Sequence, residues 1–477
     1  MLFNSLEFFI FFPVVTLIYF LLPHRLRWSW LLLASCYFYM RFIPIYILIL
    51  FFTIGVDYLA GLVIEKARGP KRKLFLIFSI IANIGVLAVF KYFNFLNANL
   101  EGLAKALDWN YPIEPLAIIL PIGLSFHTFQ SLSYTIEVYF GRQKAERNLG
   151  IFALYVMFYP QLVAGPIERP QNLLHQFREK HSFEYKRVTD GLKLMAWGLF
   201  KKVVIADRLA VVVNHVYGHP RDLKGGLLIA TVCFAYQIYC DFSGYSDIAI
   251  GAAQVMGFRL MTNFRRPYFA KSIAEFWKRW HISLSSWFRD YLYIPLGGNR
   301  VAIPRWYFNL FFTFLISGFW HGANWTFIIW GALHGAYLIS SLMTERVRAK
   351  IVTLAALDQT PRLHRLTQIF ITFALVCFAW IFFRANTVSD AYFISTHLLS
   401  FDASHLGQLG LSRADWVVVL LAIALMELVH LKQRHRSVRE QLANKPIWVR
   451  WVAYYALMLA CLIFGVFTAS QFIYFQF

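Results

Sequence analysis

The sequence predicts an all-α, polytopic integral membrane protein. Of its 477 residues, 59% are hydrophobic and only 15% are charged, whereas soluble chains carry charge at about a quarter of their positions. Apolar runs long enough to span a bilayer recur from one end of the chain to the other. Backbone groups in lipid must pair within their own segment, and the alternating polarity of a barrel strand is missing, so these runs are predicted to be helices.

The strongly basic balance fits the same class of protein. The chain has 46 Lys and Arg against 25 Asp and Glu, a formal net charge of +21. The basic residues lie in short loops between apolar runs, which indicates positive-inside topology and argues against nucleic-acid binding. The five cysteines are scattered and include no Cys-x-x-Cys pair, so they are interpreted as small buried hydrophobic residues.

The N-terminal region, residues 1–149, is predicted to consist of spans joined by short loops. Its first apolar run has neither a basic start nor a small-residue cleavage site, so we interpret it as an uncleaved span that starts outside the cytoplasm. Loop 65–73 is strongly basic and is predicted to be cytoplasmic. Run 74–96 then crosses the membrane, the acidic loop 97–115 lies outside, and run 116–139 crosses back.

The C-terminal region, residues 343–477, is predicted to contain further spans. Loops 343–366 and 432–450 are basic and are placed inside, whereas segment 386–413 is poor in Lys and Arg and is placed outside. A last span near 451–474 then leaves the carboxyl terminus outside. Both termini are therefore predicted to lie on the periplasmic side.

The central region, residues 150–342, does not divide into simple spans, because prolines interrupt its semi-polar helical stretches. Irregular or re-entrant backbone at membrane depth is tolerated only where it lines a cavity enclosed by protein. We therefore predict a single membrane domain over 1–477, with re-entrant helices and the functional site in 150–342. No stretch outside the membrane is long enough for an independent soluble domain, so chemistry away from the membrane requires another chain.

His321 is the first candidate functional residue. The apolar tract Trp306–Leu342 exceeds the length of one straight spanning helix. Gly318 and Gly322 flank the histidine, so a helix break is predicted near Ser317–Asn324. An ionisable side chain at a break in apolar sequence indicates a functional site, and burial favours the neutral imidazole that a general base requires. The alternative is a buried histidine bonded to a carbonyl that the break has freed.

Other side chains of this tract have weaker signals. Asn324 is a candidate for a hydrogen bond that orients the imidazole. His334 lies about 220° from His321 around a regular helix and is predicted not to share its face. With Gly331 and Gly335 beside it, His334 is interpreted as part of a close helix–helix contact. No metal site is predicted, because the histidines lack helical ligand spacing and no Cys cluster accompanies them.

His281 is the second candidate. Treated as one helix, Lys271–Ile294 has a Trp-rich apolar face opposite a charged face, which is typical of a helix at the membrane boundary. On this helix His281 lies at the edge of the apolar stripe, about 80° from its centre. An imidazole there either orients a reacting group or merely caps the stripe.

A third polar tract, Gln237–Asp247, interrupts an otherwise apolar stretch. Acids within spans usually face a cavity or a cationic partner. Three roles stay open for these acids: orienting a histidine, pairing with Arg289 or Arg300, or forming a buried ionic lock between helices. The candidate residues of the tract are Asp241, Ser243, Tyr245 and Asp247.

Two tracts resemble the membrane-bound O-acyltransferase (MBOAT) family, in particular its bacterial polysaccharide O-acetyltransferases. They are RWHISLSSWFRDYLYIPLGGNR (279–300) and SGFWHGANWTFIIWGALHG (317–335). The resemblance runs from Met1 to Phe477. It also includes LVAGPIERP (162–170), DFSGYSDIAIG (241–251), CFAWIFFRA (377–385) and the terminal FIYFQF.

The resemblance implies a ring of transmembrane and re-entrant helices around a central tunnel. His321 matches the catalytic histidine of the family's WHG motif, and His281 matches the second motif histidine. Supporting or tunnel-lining roles are then expected for Asn324, Ser285, Arg289, Asp290, Asp241, Ser243, Tyr245 and Asp247.

The resemblance also implies an acetyltransferase of the bacterial inner membrane with no resident cofactor. Acetyl-CoA is the expected donor on the cytoplasmic side. The acceptor is expected to be the hydroxyls of an exported polysaccharide, an alginate-like exopolysaccharide or peptidoglycan, finished by a periplasmic SGNH-type O-acetyltransferase partner. Two alternatives stay open: D-alanyl transfer to teichoic acid, and a transporter or flippase.

Overall fold

The computed structural model describes residues 1–400, 402, 407–434, 437–467, 472 and 473. These residues form helices with short connections and, within the described part of the chain, no strand, which confirms the predicted all-α class. The last four residues of the terminal tract, 474–477, lie outside the described residues. The chain forms two compact units, Met1–Trp197 with Tyr245–Met261, and Gly198–Gly244 with Thr262–Phe477. The predicted boundaries at 149 and 342 stay predictions.

The first unit is a helical unit that contains the amino terminus. Its helices are α1 (Leu6–Leu21), α2 (His24–Met40), α3 (Ile47–Lys66), α4 (Pro70–Leu87), α5 (Phe93–Ala106), α6 (Leu124–Tyr139), α7 (Leu149–Met157), α8 (Tyr159–Leu162) and α9 (Pro170–Leu173). Two further helices, α10 (Tyr185–Phe200) and α12 (Leu227–Met256), contribute residues to both units.

The second unit holds the two histidine-containing tracts. Its helices are α11 (Asp207–Gly218), α13 (Ile273–Trp277), α14 (Ile282–Phe288), α15 (Ile303–His321), α16 (Trp325–Met343), α17 (Glu345–Leu354), α18 (Pro361–Arg384), α19 (Val388–His397), α20 (Arg413–Lys432), α21 (Val438–Ala443) and α22 (Ile447–Phe464). Wider π-helical turns, which often mark functional positions, occur at Ala88–Tyr92, Lys201–Ala206 and Arg289–Tyr293.

Seven helical segments of the described residues are long and apolar enough to cross a membrane, so the chain is a multi-pass membrane protein. They are Pro44–Lys66, Pro70–Ala106, Lys224–Met256, Trp325–Met343, Pro361–Arg384, Arg413–Lys432 and Ile447–Phe464. The last of these has an apolar surface with no protein neighbour, since Trp448, Leu462 and Ile463 are each 67% exposed. A surface of that kind belongs against lipid.

Two predicted segment boundaries in the N-terminal region are wrong. The helix that begins at Pro70 continues to Ala106, so the loop predicted at 97–115 starts later. The run predicted as a span at 116–139 is helical only from Leu124. Before it the backbone is not helical, and at Leu116 the Asn94 side chain accepts from the backbone N at 2.8 Å and donates to the backbone O at 2.9 Å. A side chain thus satisfies the backbone groups that a helix would otherwise pair.

Helices α15 and α16 form a hairpin in which the backbones of the two helices are in direct contact at glycines. A Cβ atom added to Gly318 would lie 2.3 Å from the Phe327 carbonyl oxygen, and one added to Gly331 would lie 2.4 Å from the Phe314 carbonyl oxygen. Such distances exclude any larger residue without movement of the backbone. The close contact predicted around Gly331 is therefore confirmed, and it fixes the end of α15, where His321 lies.

Candidate active site

His321 is the last residue of α15, and the predicted helix break is confirmed. Gly322 is extended (φ −160°, ψ 148°), and α16 begins only at Trp325. The Nδ1 atom of His321 lies 2.6 Å from the Ser317 carbonyl oxygen. A carbonyl can only accept, so Nδ1 carries the proton and Nε2 of the neutral ring carries the lone pair. Nε2 is therefore the basic atom of this imidazole.

Aromatic rings surround His321, which is 7% exposed. The centroid of its ring lies 4.8 Å from that of Trp330 and 5.7 Å from that of Phe383. The ring of Trp380 stacks on that of Trp330, with centroids 5.8 Å apart, and adds a further apolar surface. These neighbours exclude water from the imidazole and lower the local dielectric constant, which strengthens any polar interaction made there.

His281 does not lie on the single amphipathic helix predicted for Lys271–Ile294, and that prediction is wrong. Helix α13 ends at Trp277, and His281 adopts a left-handed conformation (φ 42°, ψ 55°) immediately before α14. This conformation is uncommon for a residue other than glycine and persists only where neighbouring contacts hold it. The side chain is 1% exposed, so it is buried and not at a membrane-facing edge.

Asn263 is the residue that holds this turn. Its backbone oxygen accepts from Ile282 N at 2.9 Å, and its Oδ1 accepts from Ser283 N at 3.3 Å and from Ser283 Oγ at 3.0 Å. His281 Nδ1 lies 3.2 Å from the same Oδ1. Because that oxygen is an acceptor, Nδ1 of His281 donates, and Nε2 again carries the lone pair. Sequence reasoning missed Asn263, since nothing near it signals this contact.

His334 is held in the opposite tautomer. The Trp277 indole N–H can only donate, and it lies 3.2 Å from His334 Nδ1, so the proton of this imidazole is on Nε2. His334 is fully buried, and within the described residues its Nε2 makes no hydrogen bond. The result is a buried N–H group that is available as a donor.

The three imidazoles are neighbours. A charge on His321 acts electrostatically on both His281 and His334. The Trp330 ring contacts two of them, with centroids 4.8 Å from His321 and 5.1 Å from His334. The angle predicted from a regular helix does not apply to His321 and His334, because the break between α15 and α16 reverses the chain.

A cavity of about 360 Å³, within the range of small-molecule sites, is lined by hydrogen-bond partners of two of the histidines, although none of the three imidazoles is among its described lining residues. Its wall includes Ser317, whose carbonyl binds His321, and Trp277, whose indole binds His334. Most of the lining is apolar. The remaining polar and basic groups are Lys278, Ser285, Ser286, Arg289 and Thr313. This combination suits a substrate with an uncharged reacting end and an anionic or polar remainder.

The supporting residues from the second motif have distinct positions. Ser285 and Arg289 line the cavity, and their role in a tunnel stays a prediction. Asp290 pairs with Arg289 at 2.7 Å. Asn324 caps α16: its Oδ1 accepts from Thr326 N at 3.0 Å, and its Nδ2 donates to Asn386 O at 3.3 Å. Both the oxygen and the nitrogen of the Asn324 amide therefore form hydrogen bonds that stabilise the start of α16. An orienting role toward His321 stays a prediction.

Asp241 forms an ionic lock. Its Oδ1 lies 2.8 Å from Lys202 Nζ, which also lies 2.8 Å from Asp207, and all three side chains are at most 7% exposed. Of the roles left open, pairing with a cation is thus observed, but the cation is Lys202 and not an arginine. Asp241 also accepts from Ile473 N at 2.8 Å.

The remaining candidates of the Gln237–Asp247 tract lie nearby in sequence. Ser243 accepts from Lys201 Nζ at 2.9 Å. Tyr245 and Asp247 belong to the first unit, where the Tyr245 ring stacks on Phe3 with centroids 4.4 Å apart. Their functional roles stay predictions. Sequence reasoning missed the two adjacent lysines, although two cations inside the apolar stretch LFKKVVIA were a usable signal.

Comparison with known proteins agrees with this site. The model of the membrane-bound O-acyltransferase family matches residues 141–386, which include all three histidines. The probable alginate O-acetylase AlgI of Pseudomonas aeruginosa is 39% identical over 434 residues, 89% of this chain and 81% of its own length. The peptidoglycan O-acetyltransferase of Helicobacter pylori is 36% identical over 426 residues, 82% of this chain and 78% of its own.

A more distant relative is the teichoic acid D-alanyltransferase of Bacillus subtilis, 26% identical over 57% of this chain and 70% of its own length. The O-acetyltransferases are therefore similar over more of the sequence and at higher identity. With the buried histidines at the two motifs, these matches define the class of enzyme as an O-acetyltransferase of the alginate and peptidoglycan type. The chain belongs to the membrane-bound O-acyltransferase family.

Proposed function

We propose that the protein passes an acetyl group from acetyl-CoA on the cytoplasmic side toward hydroxyls of an exported surface polysaccharide, alginate-like or peptidoglycan. The observation that supports this most is the buried imidazole of His321, whose Nε2 is basic and whose hydrogen-bond partner Ser317 lines a cavity of about 360 Å³. In this proposal the protein lies in the bacterial inner membrane, with both termini periplasmic. A periplasmic SGNH-type O-acetyltransferase completes transfer to the glycan, as the resemblance to the polysaccharide O-acetyltransferases implies.

In the proposed reaction His321 is the general base. Its Nε2 takes the proton of an acceptor hydroxyl while that oxygen attacks the thioester carbonyl carbon. The tetrahedral intermediate then collapses, the carbon–sulfur bond breaks, and the imidazolium returns its proton to the leaving thiolate. The products are the acetyl ester and free CoA. The Ser317 carbonyl holds the tautomer that this sequence of steps requires.

His334 and His281 have complementary roles in this proposal. The Nε2–H of His334 is a fixed donor for the oxyanion of the intermediate, since Trp277 occupies its other nitrogen. His281 carries its lone pair on Nε2, so in its neutral form it accepts from a second hydroxyl of the acceptor, next to the reacting one, and positions the acceptor.

Replacing His334 tests the proposed donor. We expect His334→Phe to lower kcat about 10²–10³-fold, the usual cost of losing one oxyanion donor. His334→Gln, which places an N–H near the former Nε2, is expected to retain more activity than the Phe variant. The measurement is acetyl transfer by purified, monodisperse protein. Parent kcat in His334→Phe, or equal losses in both variants, would assign His334 a packing role only.

The donor can be identified directly. Purified protein with acetyl-CoA and an oligosaccharide acceptor is expected to release free CoA in step with formation of an acetyl ester seen by mass spectrometry. A D-alanylated carrier protein, the donor under the alternative reading, is expected to give no transfer. Transfer from the carrier and none from acetyl-CoA would favour the teichoic acid reaction.

A further inference from the structure

Three helices of the first unit, α3, α4 and α6, enclose a polar cluster around Asp57. The Asp57 carboxylate accepts from Ser79 Oγ at 2.5 Å, from Asn83 Nδ2 at 3.0 and 2.9 Å, and from Thr135 Oγ1 at 3.4 Å. Ser131 also acts on this carboxylate. All five side chains are fully buried, and Asp57 lies inside the candidate span Pro44–Lys66.

Asp57 has no cationic partner among the described residues, unlike the buried acids of the second unit, where Asp207 and Asp241 share Lys202. His127 lies one turn before Ser131 on α6, and its Nε2 lies 3.4 Å from Thr53 Oγ1, one turn before Asp57 on α3. Within the described part of the chain it forms no ion pair with Asp57. An ionised carboxylate in a bilayer without a counter-charge is costly, and buried charges are normally paired or bound to metal ions.

The cluster includes buried oxygen atoms that make no ordinary hydrogen bond. Asn83 Oδ1 and Ser131 Oγ are buried and make no hydrogen bond of ordinary geometry within the described residues. Thr135 Oγ1 lies 3.4 Å from both Asp57 Oδ1 and the Ser131 carbonyl, and its single proton serves only one of them. The Asn83 amide nitrogen also donates to the Ser79 carbonyl at 3.0 Å. Rotation of this amide by half a turn brings its oxygen beside Asp57 and the Ser79 carbonyl, where a bound cation would replace the donated protons. Side-chain oxygens from three helices then surround the Asp57 carboxylate.

We propose that this cluster is a binding site for a small monovalent cation, Na⁺. Hard cations take carboxylate, amide and hydroxyl oxygens as ligands, and these are the groups that the cluster supplies. A single carboxylate balances a single positive charge, whereas a divalent ion would leave a net charge buried in the membrane. The bound ion joins α3 to α4 and α6, so it stabilises the first unit without taking part in acetyl transfer.

The wild-type protein in detergent provides the first test. Thermal unfolding is measured in NaCl, KCl and choline chloride at equal ionic strength. We expect Tm to be higher in NaCl than in choline chloride by about 2–4 °C, with saturation as Na⁺ rises, since a ligand that binds only the folded state stabilises it. Equal Tm values in all three salts would overturn the proposal and leave Asp57 as a hydrogen-bonded lock.

Matched variants locate the site. Ser131→Ala removes one proposed ligand and is expected to shift the Na⁺ dependence of Tm to at least tenfold higher concentration. Ser133→Ala makes the same change on the same helix, where the hydroxyl donates to the Phe129 carbonyl at 2.7 Å, and is expected to keep the parent dependence. Asp57→Asn is expected to lose the Na⁺ effect altogether. An unchanged Na⁺ dependence in Asp57→Asn, or an equal shift in both serine variants, would contradict the assignment.

Discussion

His321→Gln is expected to lower the rate of acetyl transfer by about 10²–10⁴-fold, which is the usual contribution of a positioned general base. Glutamine is uncharged and has nearly the length of the imidazole, with its amide near the former Nε2, and the close packing of Gly318 on α16 should keep the end of α15 in shape. It cannot accept a proton near neutral pH. The loss should therefore appear in kcat, with the amount of protein in the membrane unchanged.

The measurement is release of free CoA by purified protein, with Tm recorded on the same sample. The matched control is His215→Gln, the same substitution at an exposed histidine of α11 in the same unit, which is expected to keep the parent rate. If folded His321→Gln transferred acetyl groups at the parent rate, the general base would have to be sought elsewhere, and the proposed mechanism would fail.

The position of His321 could be predicted because the relevant information is local. A 37-residue apolar tract is too long for one straight span, and Gly318 and Gly322 weaken the helix where the histidine lies. Close packing around Gly331 could be predicted from the glycines in the local sequence as well, since small residues permit contact between helix backbones. The all-α membrane class was likewise predictable, because composition alone excludes most other architectures.

The environment of His281 could not be predicted from periodicity. The sequence around it has a consistent amphipathic pattern, but Asn263, eighteen positions earlier, binds His281, Ile282 and Ser283 and replaces helical hydrogen bonds with its own. A tertiary contact of this kind overrides local preference. Without it, the left-handed turn has no reason to form.

The tautomers of the histidines depend on single neighbouring atoms. Whether an imidazole serves as base or donor is decided by the group that binds its other nitrogen. For His334 that group is the Trp277 indole, 57 positions away in sequence. Sequence reasoning treated His334 as a packing residue because no pattern records this contact. The proposal that it donates to the oxyanion arises only from the three-dimensional arrangement.

Lys202→Met is expected to destabilise the protein by about 3–5 kcal/mol, the typical cost of removing one partner from a buried ion pair. The change removes the cation that lies 2.8 Å from the carboxylates of both Asp207 and Asp241. Methionine has a similar volume, so lost packing contributes little. The measurement is Tm and the yield of monodisperse protein in detergent.

Lys105→Met is the control, because Lys105 pairs with Glu101 at 2.7 Å on the surface, where ion pairs contribute about 0–1 kcal/mol. A variant that combines Lys202→Met with Asp207→Asn and Asp241→Asn has no uncompensated charge at the lock and is expected to regain most of the lost stability. Regained stability with parent acetyl transfer would assign Asp241 a structural role alone. If the combined variant were stable but inactive, Asp241 or Asp207 would have to act in the chemistry, and the lock would be more than a link between helices.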